Sequence, residues 1–214
     1  MNVKRRTFLG SCGTIGTVGI AGCAALFSSP LPDKLEDISP EDQLSRPTLG
    51  DGEVVVETYE DIGCPPCHEF NSEIFPKIQE QYIDTGCISY QHVDFIVMAN
   101  ERSLDLACAA RSVQDATQNA DDSTGAFFEY KRDLMEKENW STDTIASVAE
   151  DHGVDSNVVR LDIEEKTYYP QLRADWDRAS EADVERTPTV IVEDTEIDDP
   201  LEFDEIKAKI EEQL

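Results

Sequence analysis

Two cysteines joined by a proline pair, Cys64-Pro65-Pro66-Cys67, stand where one hydrophobic period gives way to another. Before them, Val54-Val55-Val56-Glu57-Thr58-Tyr59 is the β-branched and aromatic run of a buried strand. After them, from about Cys67, Phe70, Ile74, Ile78 and Tyr82 share one face of a helix with Phe75 adjoining, while Glu, Gln and Lys take the other face. Pro76 is expected to kink that helix, because it lacks the N–H and crowds the preceding turn. Ile88-Ser89-Tyr90-Gln91-His92-Val93-Asp94-Phe95 reads as the next strand. A strand, a crossover helix and a second strand in one sheet require a parallel pair.

Residues from about 103 to 182 read as mostly helical. Within them Ser141 is placed to cap a helix whose Ile145, Val148 and Ala149 share a face, with Gly153 at its end. Thr189-Val190-Ile191-Val192 is a strand, Thr195-Glu196-Ile197 a short partner across a turn, and Phe203, Ile206 and Ile210 mark a last helix. The predicted class is α/β, in the order β-α-β, helices, β-β-α. A chain of 214 residues buries a proper core as one domain, and nothing in it demands a second.

The junction at Cys64 gives the pair its chemistry. Unpaired backbone N–H groups and the positive end of the helix dipole favour thiolate over thiol. A lowered pKa makes Cys64 both a nucleophile at neutral pH and a good leaving group, so it exchanges disulfides through a mixed disulfide. Cys67, one turn on, is placed to resolve that intermediate: the first cysteine is expected at an exposed tip, the second shielded within the first turn. Pro65 and Pro66 stiffen the link and remove two donors. A zinc site would need a second ligand pair, and Cys87 and Cys108, 21 residues apart, do not supply one. Cys64 to His68 also spells the C-x-x-C-H pattern of c-type haem attachment, with Met98 or Met135 as an opposite axial ligand. The strand-helix-strand context weighs against haem, and His68 is read as a solvent-facing helix residue. A purely structural disulfide in a binding module is the third reading. The preferred chemistry needs no cofactor and no metal.

A second element is Arg186-Thr187-Pro188-Thr189, just before the last hydrophobic strand. Pro188 is a candidate for a cis bond, the alternative being a trans proline that merely starts the strand.

With these residues together, the chain resembles the DsbA-like thioredoxin family over Pro47–Leu214. The resemblance rests on Pro47-Thr48-Leu49-Gly50, on Tyr59-Glu60-Asp61 before the Cys-Pro-Pro-Cys, on Phe70 and Pro76, on Ala107-Cys108-Ala109-Ala110, and on Thr187-Pro188-Thr189. It implies a thioredoxin fold with a helical insertion at about 103–182. It also implies disulfide exchange on exported proteins, with Cys64 as nucleophile, Cys67 as resolving thiol, and Thr187 and cis-Pro188 as the substrate loop facing them. The partners it implies are exported protein thiols or disulfides and a redox partner that the sequence does not identify. Three departures stand out. Thr58 occupies the position where many relatives carry a buried acid, and Glu57 points to the opposite face. Arg186 replaces the usual glycine. The Pro-Pro dipeptide matches neither strong oxidants nor thioredoxins, which leaves the direction of electron flow open.

The N-terminus carries Lys4-Arg5-Arg6-Thr7-Phe8-Leu9, then no charge until Asp33. Residues 1–22 resemble a twin-arginine export signal, too rich in glycine for a good membrane span. Ile20-Ala21-Gly22-Cys23 resembles a lipobox, making Cys23 the lipidated first residue of a protein anchored on the extracytoplasmic face of the membrane, and Cys12 is lost with the signal. Residues 23–46, with Pro30, Pro32 and Pro40 among Ser, Asp and Glu, read as a tether, and 47–214 as the domain. In that exported setting Cys87 and Cys108 are either a second disulfide or two free thiols. Asn139-Trp140-Ser141 fits a glycosylation acceptor.

The chain holds 46 acidic against 18 basic residues, a formal charge of −28, which repels phosphate backbones and excludes nucleic acid as a partner. Adaptation to molar salt, where the Debye length falls to about 3 Å, accounts for such a surface. A solvated acidic face with no salt requirement is the alternative.

Overall fold

The β-branched runs assemble into one mixed sheet of order β1-β3-β2-β4-β5, formed by β1 (Thr48–Leu49), β2 (Val54–Glu60), β3 (Ile88–Asp94), β4 (Thr189–Val192) and β5 (Thr195–Glu196). The computed structural model describes residues 30–214, so the expected export signal, Cys12 and Cys23 lie outside the described residues. β2 and β3 run parallel, with Val54 opposite Ile88 and Glu60 opposite Asp94, as the crossover demands. β4 lies antiparallel on the other side of β2, pairing Thr189 with Tyr59. The carboxyl ends of β2 and β3 and the start of β4 therefore meet at one edge of the sheet. This is the α/β thioredoxin arrangement expected from sequence.

The crossover is α1 (Pro65–Glu69), a π-helical stretch (Phe70–Ile74), α2 (Phe75–Ile78) and a second π-helical stretch (Gln79–Ile83). Pro76 follows directly on the first wide turn, in which the Phe75 N–H reaches back to the Phe70 carbonyl, so the proline is accommodated by a local widening of the helix. Phe70, Ile74, Ile78 and Tyr82 nonetheless enter the main core, with Val54, Val56, Ile88 and Tyr90 from the sheet.

Between β3 and β4 come α3 (Ser103–Thr117), α4 (Phe127–Met135), α5 (Thr142–Asp151), α6 (Ser156–Glu165) and α7 (Tyr169–Glu181). The Ser141 hydroxyl accepts the Thr144 N–H and caps α5, and Gly153 follows its end at φ +77°. α8 (Phe203–Gln213) closes the chain, burying Ile206 and Ile210. The opposite sheet face is covered too, by Tyr59, Val93, Phe95, Val184, Ile191 and Ala179.

Residues 30–46 depart from the expected tether by packing on the domain. Leu35 is fully buried in a cluster with Ile96, Leu104, Ala107, Tyr168 and Leu172, flanked by Leu31, Ile38 and Leu44. The backbone N–H groups of Gln43 and Leu44 both donate to Gln171 Oε1, at 2.8 and 3.0 Å, and Arg178 reaches Asp42 at 3.1 Å. Four apolar side chains scattered among prolines and acids carry no helix or strand period, yet they suffice to bind an irregular segment as a strap.

Candidate active site

The turn Asp61-Ile62-Gly63 carries the chain from β2 into α1. Asp61 is buried and accepts the Gly63 N–H at 2.9 Å on one oxygen, and the Val97 and Ala99 N–H groups at 3.2 and 3.1 Å on the other. A side chain at position 63 would sit 2.7 Å from Asn100 Cβ and 2.8 Å from Ser103 Oγ, so the approach to Cys64 needs glycine. Burial raises the Asp61 carboxyl above its ordinary value, against these hydrogen bonds.

Cys64 is the N-cap of α1, with extended φ −89° and ψ 121°. Its carbonyl accepts the N–H groups of Cys67 at 3.0 Å and His68 at 3.2 Å. Pro65 and Pro66 fill the first helical positions, where a missing N–H costs no helical bond. The first backbone donor beyond Cys64 is thus the N–H of Cys67 itself. The thiol of Cys64 is pulled down to about 6, mainly by the hydrogen bond from the Cys67 thiol; burial opposes this, while Thr187 and the Cys67 N–H assist. Cys67 moves the other way, well above 9, through burial, the bond it gives Cys64 and the negative charge of Glu60. The two sulfurs differ as a nucleophile and a proton-holding neighbour must.

One expectation about this pair is corrected. Cys64 is only 6% exposed, not an open tip; Pro65 and Pro66 are the exposed residues. The covering comes from the loop before β4, where the Thr187-Pro188 peptide bond is cis and Pro188 is buried. Cys64 Sγ lies 3.5 Å from the Thr187 carbonyl oxygen, and the buried Thr187 hydroxyl has no hydrogen-bond partner among the described residues.

Beneath Cys67 lies a charged network that the sequence reading missed. Glu60 is fully buried, accepting from Lys131 Nζ at 2.8 Å and from the Asn71 amide, which also donates to the Cys67 carbonyl at 2.8 Å. His92 sits between two carboxylates, 3.5 Å from Glu60 and 3.1 Å from Asp94. Asp94 in turn holds Arg111, which also binds Asp175, each at 2.7 Å. Burial would raise Glu60, but Lys131 and His92 outweigh it and hold the carboxyl at about 2. Glu60 is therefore an anion at every working pH. Thr58 bonds Tyr90 Oη at 3.0 Å, and Glu57 on the other face pairs with Arg46.

A thioredoxin family model matches residues 48–212. Disulfide bond formation protein D of Bacillus subtilis is 30% identical over 181 residues, covering 79% of this chain and 77% of the relative. The chain belongs to the DsbA-like thioredoxin family. The crystal structure of oxidised BdbD from Bacillus subtilis superposes with a TM-score of 0.71 at 27% identity, covering 83% of this chain and 98% of that one. The structure of Chlamydia trachomatis DsbA gives 0.69 over 82% of this chain and 93% of its own, and at 24% identity supports the fold alone. As a DsbA-like protein, this chain is a protein-disulfide oxidoreductase.

The remaining sequence candidates take other places. His68 is half-buried, not solvent-facing: its Nε2 lies 2.7 Å from the Ile62 carbonyl and its ring meets Trp140 edge-on at 5.6 Å. A nitrogen whose N–H is given to a carbonyl is no axial ligand, and the haem reading loses its histidine. Met98 is exposed in the loop after β3 and Met135 ends α4. Cys87 and Cys108 are both free thiols: Cys108 is buried on α3 with its sulfur 3.3 Å from the Asp162 carbonyl, while Cys87 lies near Thr85 before β3. Arg186 turns toward β5, donating to the Asp198 carbonyl at 2.7 Å. The sequence signal for the missed network was Glu60 itself, an acid inside an apolar strand on the same face as Thr58.

Proposed function

We propose that the protein donates disulfides to exported proteins through Cys64 and Cys67. In the oxidised protein a client thiolate attacks Cys64 Sγ. The Cys64–Cys67 bond breaks, a mixed disulfide forms at Cys64, and Cys67 leaves and takes up a proton. A second client thiolate then attacks the client sulfur of the mixed disulfide, giving the client its disulfide and releasing Cys64 as thiolate. The observation that carries this reading is Cys64 at the N-cap of α1, 3.5 Å from the Thr187 carbonyl of the cis-Pro188 loop, with its thiol lowered by the bond from Cys67 and that of Cys67 raised by burial. A stable Cys64 thiolate is a good leaving group and favours the reduced pair, so the disulfide is the stronger oxidant. Thr187 and Pro188 present backbone to an extended client segment. Pre-oxidised protein should restore activity to a reduced, unfolded client enzyme and Cys64→Ala should not. Equal restoration by the variant would reject the mechanism.

The same proposal places the work outside the cytoplasm, with residues 1–22 as export signal and Cys23 as lipid anchor. Among the described residues no helix is long and apolar enough to cross a membrane. With the strap held to the domain, seven steps of chain separate Cys23 from Pro30, a reach of at most about 25 Å. Cys23→Ala should move the protein from the membrane fraction to the medium. Retention of that variant in membranes would remove the anchor.

A further inference from the structure

Beside the substrate loop lies a cavity of about 260 Å³ whose floor is Phe95, Val184 and Trp176 and whose rim carries Ser180, Asp183 and Glu185. Phe95 follows β3, its N–H bonding the Glu60 carbonyl at 3.0 Å, and Glu185 is two residues before Thr187, so the cavity lies toward the end of the sheet at which β2 leads into Cys64. It also sits at the carbonyl end of α7. Asp183 takes the left-handed conformation, φ +56°, its N–H bonds the Ser180 carbonyl at 3.2 Å, and the Val184 N–H bonds the Ala179 carbonyl at 2.9 Å. That closing turn leaves the negative pole of the helix facing the rim. Asp183 makes no salt bridge among the described residues. Arg178, on the same helix, is already bound to Asp175 and Asp42, and Arg186 is turned away to Asp198.

We infer that this cavity is a client subsite for a lysine or arginine side chain a few residues from the cysteine being oxidised; the inference rests on the exchange function proposed above. Three features favour one occupant. The half-buried ring of Trp176, packed over the buried ring of Phe95 at 6.3 Å between centroids, takes an aliphatic stem and attracts a cation over its face. The rim carboxylate of Asp183 and the carbonyl end of α7 both attract positive charge. The place is set by the backbone: a client strand rising about 3.3 Å per residue, with its cysteine at Cys64 and its main chain against Thr187, lays a side chain two to four residues away over positions 183–185.

The test uses oxidised protein and a set of short peptides, each with one cysteine and with Lys, Gln or Glu placed in turn at every position from four before to four after it. Mixed-disulfide formation is timed at the lowest salt that preserves the fold, and each rate is normalised to the same protein's rate with a small dithiol. At one or two positions on one side of the cysteine, Lys should outpace Glu by about fivefold, the sum of an exposed ion pair and a cation–π contact. Added salt should shrink the ratio. Asp183→Asn, whose side chain tolerates the same backbone, should bring it to about twofold. A Lys preference equal at every position would reflect only the net charge and overturn the subsite, as would an unchanged ratio in Asp183→Asn. Should the variant not fold, the position profile on unaltered protein decides the matter, since net charge alone favours Lys equally at every position. Failure to react with the dithiol and all peptides would instead remove the exchange function.

Discussion

Cys64 and Cys67 differ because a hydrogen bond from its partner lowers the first, whereas burial above all raises the second. In the reduced protein the Cys67 thiol donates to Cys64, while Glu60 keeps a negative charge near Cys67. Alkylation of Cys64 should therefore rise with pH around a midpoint near 6, with Cys67 unreactive until well above 9. The sign for stability follows: the Cys64 pKa is lower folded than unfolded, so its stabilisation of the reduced fold is complete above about 9 and is lost as pH falls through about 6. Denaturant titration of the reduced protein against pH reads this directly. Glu60→Gln removes the anion, leaves Lys131 buried without its counter-charge, and should cost about 3 kcal/mol in chemical denaturation while moving Cys67 alkylation to lower pH. An unmoved Cys67 profile would show that Glu60 has no electrostatic hold on the pair. The nucleophile, its partner and Pro188 were legible because each depends on neighbours in sequence. Lys131 was not, since it meets Glu60 from 71 residues away.

At the level of elements, the strap is the feature composition hid. Leu35 is fully buried though its neighbours are prolines and acids, so Leu35→Ala should lower stability by about 3 kcal/mol, whereas a tether residue would tolerate it. Thermal unfolding of the variant checks this. The strands, the parallel β2–β3 pair and the cap of α5 were readable because alternation, β-branching and a serine before an apolar face are local signals. The π-helical stretches around Pro76 were not, because a helix can answer a proline by bending or by widening, and surrounding packing selects between them. The covering of Cys64 was missed for the same reason: the loop at Thr187 comes from the far end of the chain.

At the scale of the whole molecule, a charge of −28 leads us to expect that the stability of the fold depends on salt. Mutual repulsion of surface carboxylates at low ionic strength should loosen the domain, and potassium chloride from millimolar to molar should raise its melting temperature. A transition that does not move across that range would leave an acidic surface without a salt requirement. On the proposed reading, the domain as a whole turns one ionised sulfur, one resolving thiol and one backbone loop into an exchanger. Cys67→Ala protein, recovered from cells under acid quench and mapped by mass spectrometry, tests that assembly most directly. Mixed disulfides with other proteins, each joined at Cys64, are expected; adducts spread equally over Cys64, Cys87 and Cys108, or none at all, would rule out exchange through Cys64.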